Sequence, residues 1–448
     1  MRRLTRREFL KLGALAALAS ACAPIVTPTP TVYVSPTPTR TPTATPTSTS
    51  TPTPLPKGFP EPPEPIKPKG DFNIGTYYIT GWGTFEGKSS DWRLGTPYTP
   101  LLGFYKSDDP RTADWHIFWL VENGRNHVMI PSTDPNIYGW NTNFEKGFLK
   151  SSLLPFIQFS MMFNNEPYWP SNPWGNDPNK LDELTKNTIS YYAQNYFSHP
   201  QYRKVDGKPL LTLYHAFIIE GHPELGFDRL QRMVDDIRET VLRYGYEVFL
   251  VGDIMSTWIG NDQNAINHAQ RLYSLFDAGS SYAVINAGRL PPNEWNYDDQ
   301  GNVHLIEPYD TMVAGYISLS NWWSEQARRA RKVFIPPITP GFDNEIVWKR
   351  RIDPGLVKRT NPTPEKYADM IQGIKDFIDP ELRMIYEEAF NEYQEGTVIE
   401  PTKEFGFQYL NILRDLLYQS PIGGWRPNLV PTKDGKIVVY ETGELYTG

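Results

Sequence analysis

Eight short apolar runs, each but the last followed by a longer stretch toward the next run, constrain this chain more than any other feature. They are Phe72–Tyr78, His127–Ile130, Leu154–Met161, Pro209–Tyr214, Glu247–Val251, Ser281–Ile285, Lys332–Pro337 and Leu382–Glu388. Helical patterns fall around them at Thr112–Glu122, Lys180–Tyr196, Phe227–Tyr244, Gln263–Phe276, Asp310–Arg331, Pro364–Ile378 and Lys403–Tyr418. Before the eighth run, Tyr367, Met370, Ile371, Ile374, Phe377 and Ile378 form one apolar helical stripe, and Leu230, Met233, Val234, Ile237 and Val241 repeat that spacing earlier. Buried strands alternating with helices belong to parallel sheets covered on both faces, and eight such units predict a (β/α)8 barrel. The second unit is the weak one, since Asn143–Ser152 barely supports a helix. An open doubly wound sheet is the fallback, but no G-x-G-x-x-G follows the first run.

The two ends of the chain read differently. Residues 1–22 have the form of an export signal: Thr5-Arg6-Arg7-Glu8-Phe9-Leu10-Lys11 resembles the twin-arginine signature, and an apolar run from Leu12 to Ala19 follows. Leu18-Ala19-Ser20-Ala21-Cys22 resembles a lipobox, which makes Cys22 the expected lipid-attachment site, with simple cleavage nearby as the alternative. On this reading the body is exported and lipid-anchored at the cell surface or outer face of the cytoplasmic membrane. Residues 23–69, dominated by Thr and Pro at their start, read as a disordered linker that cannot bury enough surface to offset its ordering entropy. The barrel is expected over residues 70–420. Residues 421–448 follow as a tail with a hairpin around Lys433-Asp434-Gly435-Lys436, packed on the barrel.

Cys22 is the only cysteine, so an intramolecular disulfide and a Cys-based zinc site are both excluded. The seven histidines include no H-E-x-x-H, and Asn296–Asn302 lacks the spaced acids of a calcium loop and reads as a turn. No phosphate loop, nucleotide fingerprint or G-x-S-x-G elbow is present, so neither metal nor cofactor is expected. A formal net charge of −7, with no long basic run in the body, argues against a nucleic-acid partner. The 13 Trp and 26 Tyr suit sugar stacking and ordinary cores equally.

Chemistry concentrates after the eighth run. Glu392 and Glu395 stand three residues apart at its C-terminal end, where barrel enzymes place their reacting groups. Cleaving a glycosidic bond takes two carboxyl groups, one at the leaving oxygen and one as base or nucleophile. The plain alternative is a surface turn carrying solvated acids. Asp343 follows the seventh run, where it either contacts a sugar hydroxyl or forms an Asx-turn. Asp253, Glu220 and Glu400 read as loop or structural acids. Tyr77, Tyr78, Trp82, Trp140, Trp169, Trp174 and Trp295 fall on the same face, whereas Trp322 and Trp323 lie in a helical pattern and read as core. Tyr78, Trp82, Trp140, Asp343 and Asn391 are the expected substrate-binding residues.

The segment Asn391–Pro401, NEYQEGTVIEP, resembles the signature of glycoside hydrolase family 99 and its family 99-like, WbsX-type relatives, in which an N-E-W-x-E-G-x-x-I/L-E-P run closes the last barrel strand. Tyr196–Tyr202 with Val205–Pro209, Pro340–Asn344 and Phe405–Leu410 agree with it. The resemblance implies a (β/α)8 barrel and a retaining, endo-acting α-mannosidase or α-mannanase working through a 1,2-anhydro sugar. By motif position Glu392 would take the 2-OH proton, and Glu395 would protonate the leaving oxygen and then activate water. This chain has Tyr393 and Gln394 where those hydrolases have Trp-His, so α-mannan is only the default substrate. A non-catalytic glycan-binding lipoprotein and a cell-envelope polysaccharide assembly factor are the alternatives.

Overall fold

A computed structural model describes residues 54–84, 90–132, 140–164, 178–221, 226–255, 263–282, 304–350, 355–421 and 423–447. The expected export signal, Cys22, and the residues Trp169, Trp174, Trp295 and 296–302 lie outside them.

Eight parallel strands form the barrel: β1 (Asn73–Tyr77), β2 (His127–Ser132), β3 (Gln158–Phe163), β4 (Lys208–Leu213), β5 (Phe249–Asp253), β6 (Ala278–Ser280), β7 in two pieces (Val333–Phe334 and Pro337–Ile338) and β8 (Met384–Glu387). Neighbours in sequence are neighbours in the sheet, and β8 returns to pair with β1, Asn73 opposite Met384. The ring closes through β7. Its first piece pairs with β6 and its second with β8, so Ile335 donates to the Gly279 carbonyl at 2.9 Å while the Pro336 carbonyl accepts from Tyr386 at 3.1 Å.

Side chains alternate across each strand with period two. Tyr77, Met129, Met162, Leu210, Val251, Ile335, Met384 and Tyr386 pack together inside the barrel. Their neighbours Ile74, Val128, Met161, Leu211, Leu250, Phe334 and Ile385 form the outer layer beneath the helices. Those helices include α1 (Pro110–Glu122), α2 (Trp140–Lys146), α3 (Pro178–Asn195), α4 (Gly226–Arg243), α5 (Gln263–Tyr273), α6 (Tyr309–Ala330), α7 (Pro364–Ile374) and α8 (Gln408–Leu417). The stripes expected on α4 and α7 are buried, except that Phe377 and Ile378 fall in and after a 3-10 turn and are half-buried.

Three expectations shift. The weak second helix is α2, only seven residues long, and 3-10 turns at Phe148–Lys150 and Leu154–Phe156 fill the rest. The second turn, with Pro155 inside it, delays β3 to Gln158. The sixth strand is Ala278–Ser280, ahead of Ser281 and Tyr282, while the rest of the expected run, 283–285, lies outside the described residues. Its small residues carry little strand propensity, but a Cβ at Gly279 would meet Tyr273 and Ile254 at 2.7–2.9 Å, so close packing selects them.

Residues 54–69 fall in the expected linker, and the structure packs them against the barrel helices. They run along α1, and their carbonyls, which have no ladder of their own, accept from protein donors. Arg111 donates to Leu55 and Pro56, Trp115 Nε1 donates to Pro60 at 2.9 Å, and Lys69 bridges to Gln419. The tail pairs Leu429–Pro431 with Ile437–Val439 in an antiparallel hairpin, held where Trp119 Nε1 donates to the Leu429 carbonyl at 2.8 Å.

Candidate active site

Beyond β8 the chain crosses the C-terminal mouth of the barrel, with Phe390 N–H donating to the Tyr77 carbonyl at 2.8 Å. Asn391–Glu392 then pairs antiparallel with Thr397–Val398 around a 3-10 turn, Tyr393–Glu395. Gly396 reverses the chain in the left-handed region, φ 65°, where a Cβ would be strained. The hairpin places Glu392, 9% exposed, on its buried stem and Glu395, half-buried, on its turn.

A buttress holds that turn. The loops after β6 and β7 contribute His304–Pro308 and Leu356–Thr360, which pair as a parallel ribbon. Asp343 N–H donates to the Glu395 carbonyl at 2.7 Å. The Asp343 carboxylate accepts from Glu345 N–H at 3.0 Å and pairs with Lys358 at 2.8 Å. Asp343 thus forms the Asx-turn of its two sequence readings, and it positions the acid turn from behind.

Tyr393 and Gln394 face the loop after β1. Gln394 accepts from Ser90 N–H at 2.7 Å and donates to the Asp91 carbonyl at 3.0 Å. The Tyr393 ring packs on Trp82 and Trp92. The two residues between the acids are therefore a clamp on the β1 loop.

Several of the expected substrate-binding residues make contacts within the protein. Asn391 is fully buried and exchanges two hydrogen bonds with the backbone of Ile79, 2.7 and 3.0 Å. Trp82 is fully buried, stacks on Trp92 at 3.9 Å and donates to the Asn391 carbonyl at 2.8 Å. Tyr78 points outward from β1, as strand alternation requires, and its hydroxyl meets His116 Nδ1 at 2.8 Å. Trp140 opens α2 on the mouth side of β2 and remains half-buried. Glu400 is buried, accepts from the Tyr105 hydroxyl at 2.7 Å and stands 3.3 Å from His116 Nε2, which agrees with its structural reading. The Trp322 and Trp323 rings are buried under α6. The side chain of Glu220 lies outside the described residues.

Sequence reasoning missed Glu388. It is fully buried, and neither carboxyl oxygen has a hydrogen-bond partner among the described residues. Burial, then the carboxyls of Glu395, Asp253 and Glu392, push it well above the usual carboxylate range. The signal was available: Glu387 and Glu388 are consecutive in a buried strand, so alternation sends them to opposite faces. Asp253, at the end of β5 and 1% exposed, is also more than a loop acid. Burial raises it to about 7, against the lowering effect of the His215 and Tyr282 N–H groups and the Ser281 hydroxyl. Tyr77 and Tyr282 pack edge to face at 4.7 Å, and Tyr214 meets Tyr282 at 5.2 Å. Among the described residues no group of three or more His, Cys, Asp and Glu side chains could hold a metal ion.

The raised Asp253 has a consequence for stability. Its folded-state value lies above the ordinary 3.8, so the folded chain keeps a proton that the unfolded chain releases. Stability from this group is therefore complete below the unfolded value and is lost as pH rises through about 7. Asp253→Asn should unfold at higher urea than the parent at pH 8, by up to roughly 4 kcal/mol, with the gap closing toward about pH 4. A gap that is constant with pH would reject the assignment.

Comparison with known proteins follows the same lines. A family model described as glycosyltransferase WbsX matches residues 154–413. No curated protein matches the chain. A solved structure of the GH99 endo-α-mannosidase from Bacteroides thetaiotaomicron, in complex with BIS-TRIS-propane, superposes with a TM-score of 0.51 at 18% identity, covering 78% of this chain and 97% of that one. A structure described as a glycoside hydrolase-like protein gives 0.55 at 16% identity, covering 80% and 97%. At these identities the likeness establishes a shared barrel fold.

Proposed function

The chain belongs to the WbsX glycosyltransferase family, whose model spans more than half of it, and from that premise we propose that it cleaves a glycan by paired-carboxylate catalysis. The observation that carries this reading is the convergence of Glu392 and Glu395 on the barrel mouth, close enough to Glu388 for all three carboxyls to interact. In the proposed mechanism Glu395, on the accessible turn, protonates the leaving oxygen and later activates the acceptor. Glu392, on the buried stem, acts as its partner base toward the 2-OH. Retaining, endo-acting cleavage of an α-mannoside is the default, by analogy with the GH99 endo-α-mannosidase of the same fold. Export, and anchoring through a lipid on Cys22, complete the proposal and rest on the sequence of residues 1–22.

The family's description introduces a second outcome. Hydrolysis and glycosyl transfer share the first half of this chemistry and differ in whether water or a sugar hydroxyl takes the glycosyl group. The test is to incubate the protein with α-mannans and a broad glycan panel, with and without free sugar acceptors. New reducing ends are expected, and elongated acceptors would mark a transferase. Saturable binding with neither product would support the glycan-binding reading instead.

A further inference from the structure

Glu388 has no part in the chemistry proposed above, yet its placement is costly. A buried carboxyl normally finds donors, and leaving one without them costs several kcal/mol by roughly the same reckoning that makes buried charges pair. Here both oxygens have none among the described residues, and the hydroxyl of Tyr77, also fully buried, has none either. The charged neighbours acting on Glu388 are themselves carboxyls: Glu395, Asp253 and Glu392. They come from two places in the fold, Glu392 and Glu395 from the acid hairpin and Asp253 from the end of β5.

No protein cation offsets this group among the described contacts. Lys358, behind the acid turn, is bound to Asp343 and Glu345 at 2.8 and 2.6 Å. His215, stacked on Tyr214 at 3.6 Å, is held neutral because burial lowers it to about 3. The walls are aromatic, with Tyr77 and Tyr214 each in edge contact with Tyr282. Carboxyls beside tyrosine rings favour an organic cation, which gains both charge pairing and ring contact. Because no three acids among the described residues converge as metal ligands do, the arrangement suits a group larger than a bare ion.

We propose that Glu388, with the Tyr77 hydroxyl, forms an anionic subsite beside Glu392 and Glu395 that receives the protonated amino group of an amino sugar. The substrate class is then a glycan carrying hexosamine units whose nitrogen is not acetylated. This deepens the glycan-cleaving reading and rests on it. A protonated amine supplies three donors to groups that lack them, and it converts repulsion among the carboxyls into attraction. An N-acetyl group supplies one donor and no charge.

The test is calorimetric or NMR titration of the full protein with glucosamine, mannosamine and galactosamine, each beside its N-acetyl form and the parent hexose. At least one free amine should bind about tenfold more tightly than its N-acetyl partner, the equivalent of one modest charge pair. In Glu388→Gln that ratio should fall to about threefold or less, and loss of a buried unpaired carboxyl should leave the melting temperature equal or higher. Equal binding of amine and amide by the parent protein would overturn the subsite, and so would a preference that survives in Glu388→Gln. The first of these, found together with Glu395-dependent cleavage of a neutral glycan, would reject the subsite alone. An amine preference lost in Glu388→Gln, in a protein that releases and transfers no sugar, would uphold the subsite and reject the cleavage reading.

Discussion

Glu395→Gln should reduce turnover of a natural glycan by about a thousandfold, within the range over which a positioned general acid usually acts. The same variant should retain far more of its kcat/KM on an aryl glycoside whose leaving group needs no proton, because kcat/KM does not include the later activation of the acceptor. Glutamine keeps the shape of the side chain and the Asp343 N–H contact to the residue 395 carbonyl, so the loss reports the proton rather than the fold. Glu392→Gln should slow both substrates, because a base acting on the sugar is required whatever leaves. The contrast follows from the hairpin, which puts one acid on an accessible turn and the other on a buried stem. Steady-state kinetics on two substrates with leaving groups of different pKa check it. An equal loss on both in Glu395→Gln would remove the acid assignment. No loss on either would remove the residue from catalysis.

How much of this could be read from residues alone depended on which interactions are local. Strand and helix periods are local, so the barrel and the position of Glu392 and Glu395 were legible. The internal partners of Asn391, Trp82 and Tyr78 were not legible for one shared reason: they lie far away in sequence. Asn391 binds Ile79, Trp82 meets Tyr393 edge to face, and Tyr78 reaches His116. No single-sequence pattern states that a conspicuous aromatic beside a strand end is already occupied by such a partner. Glu388 was hidden differently. An acidic doublet reads as one solvated feature until strand alternation is applied, and then the two carboxylates need two separate explanations.

The outward member of that doublet gives the second large effect. Glu387 is fully buried and paired with Arg125, Nε to Oε2 at 2.9 Å and Nη2 to Oε1 at 2.6 Å. Arg125 also donates to the carbonyls of Asn123 and Leu410, and the Tyr367 hydroxyl donates to Glu387. One guanidinium therefore ties β8 to the end of α1 and to α8. Arg125→Met should cost about 3–5 kcal/mol, because it leaves a buried carboxylate without its cation. Glu387→Leu added to it should recover part of that loss, since removing both charges is far less costly than removing one. Recovery should stop short of the parent protein, because the Arg125 donations to the Asn123 and Leu410 carbonyls are not restored, at roughly 0.5–1.5 kcal/mol each. Urea midpoints of the two single variants and the double variant close the cycle. A single variant within about 1 kcal/mol of the parent would show that the pair does not hold the strand. The same substitution should lower activity even well below the unfolding midpoint, since Glu387 and Glu388 share one peptide unit. A strand released on its outer face cannot keep its inner carboxyl fixed beside Glu392 and Glu395.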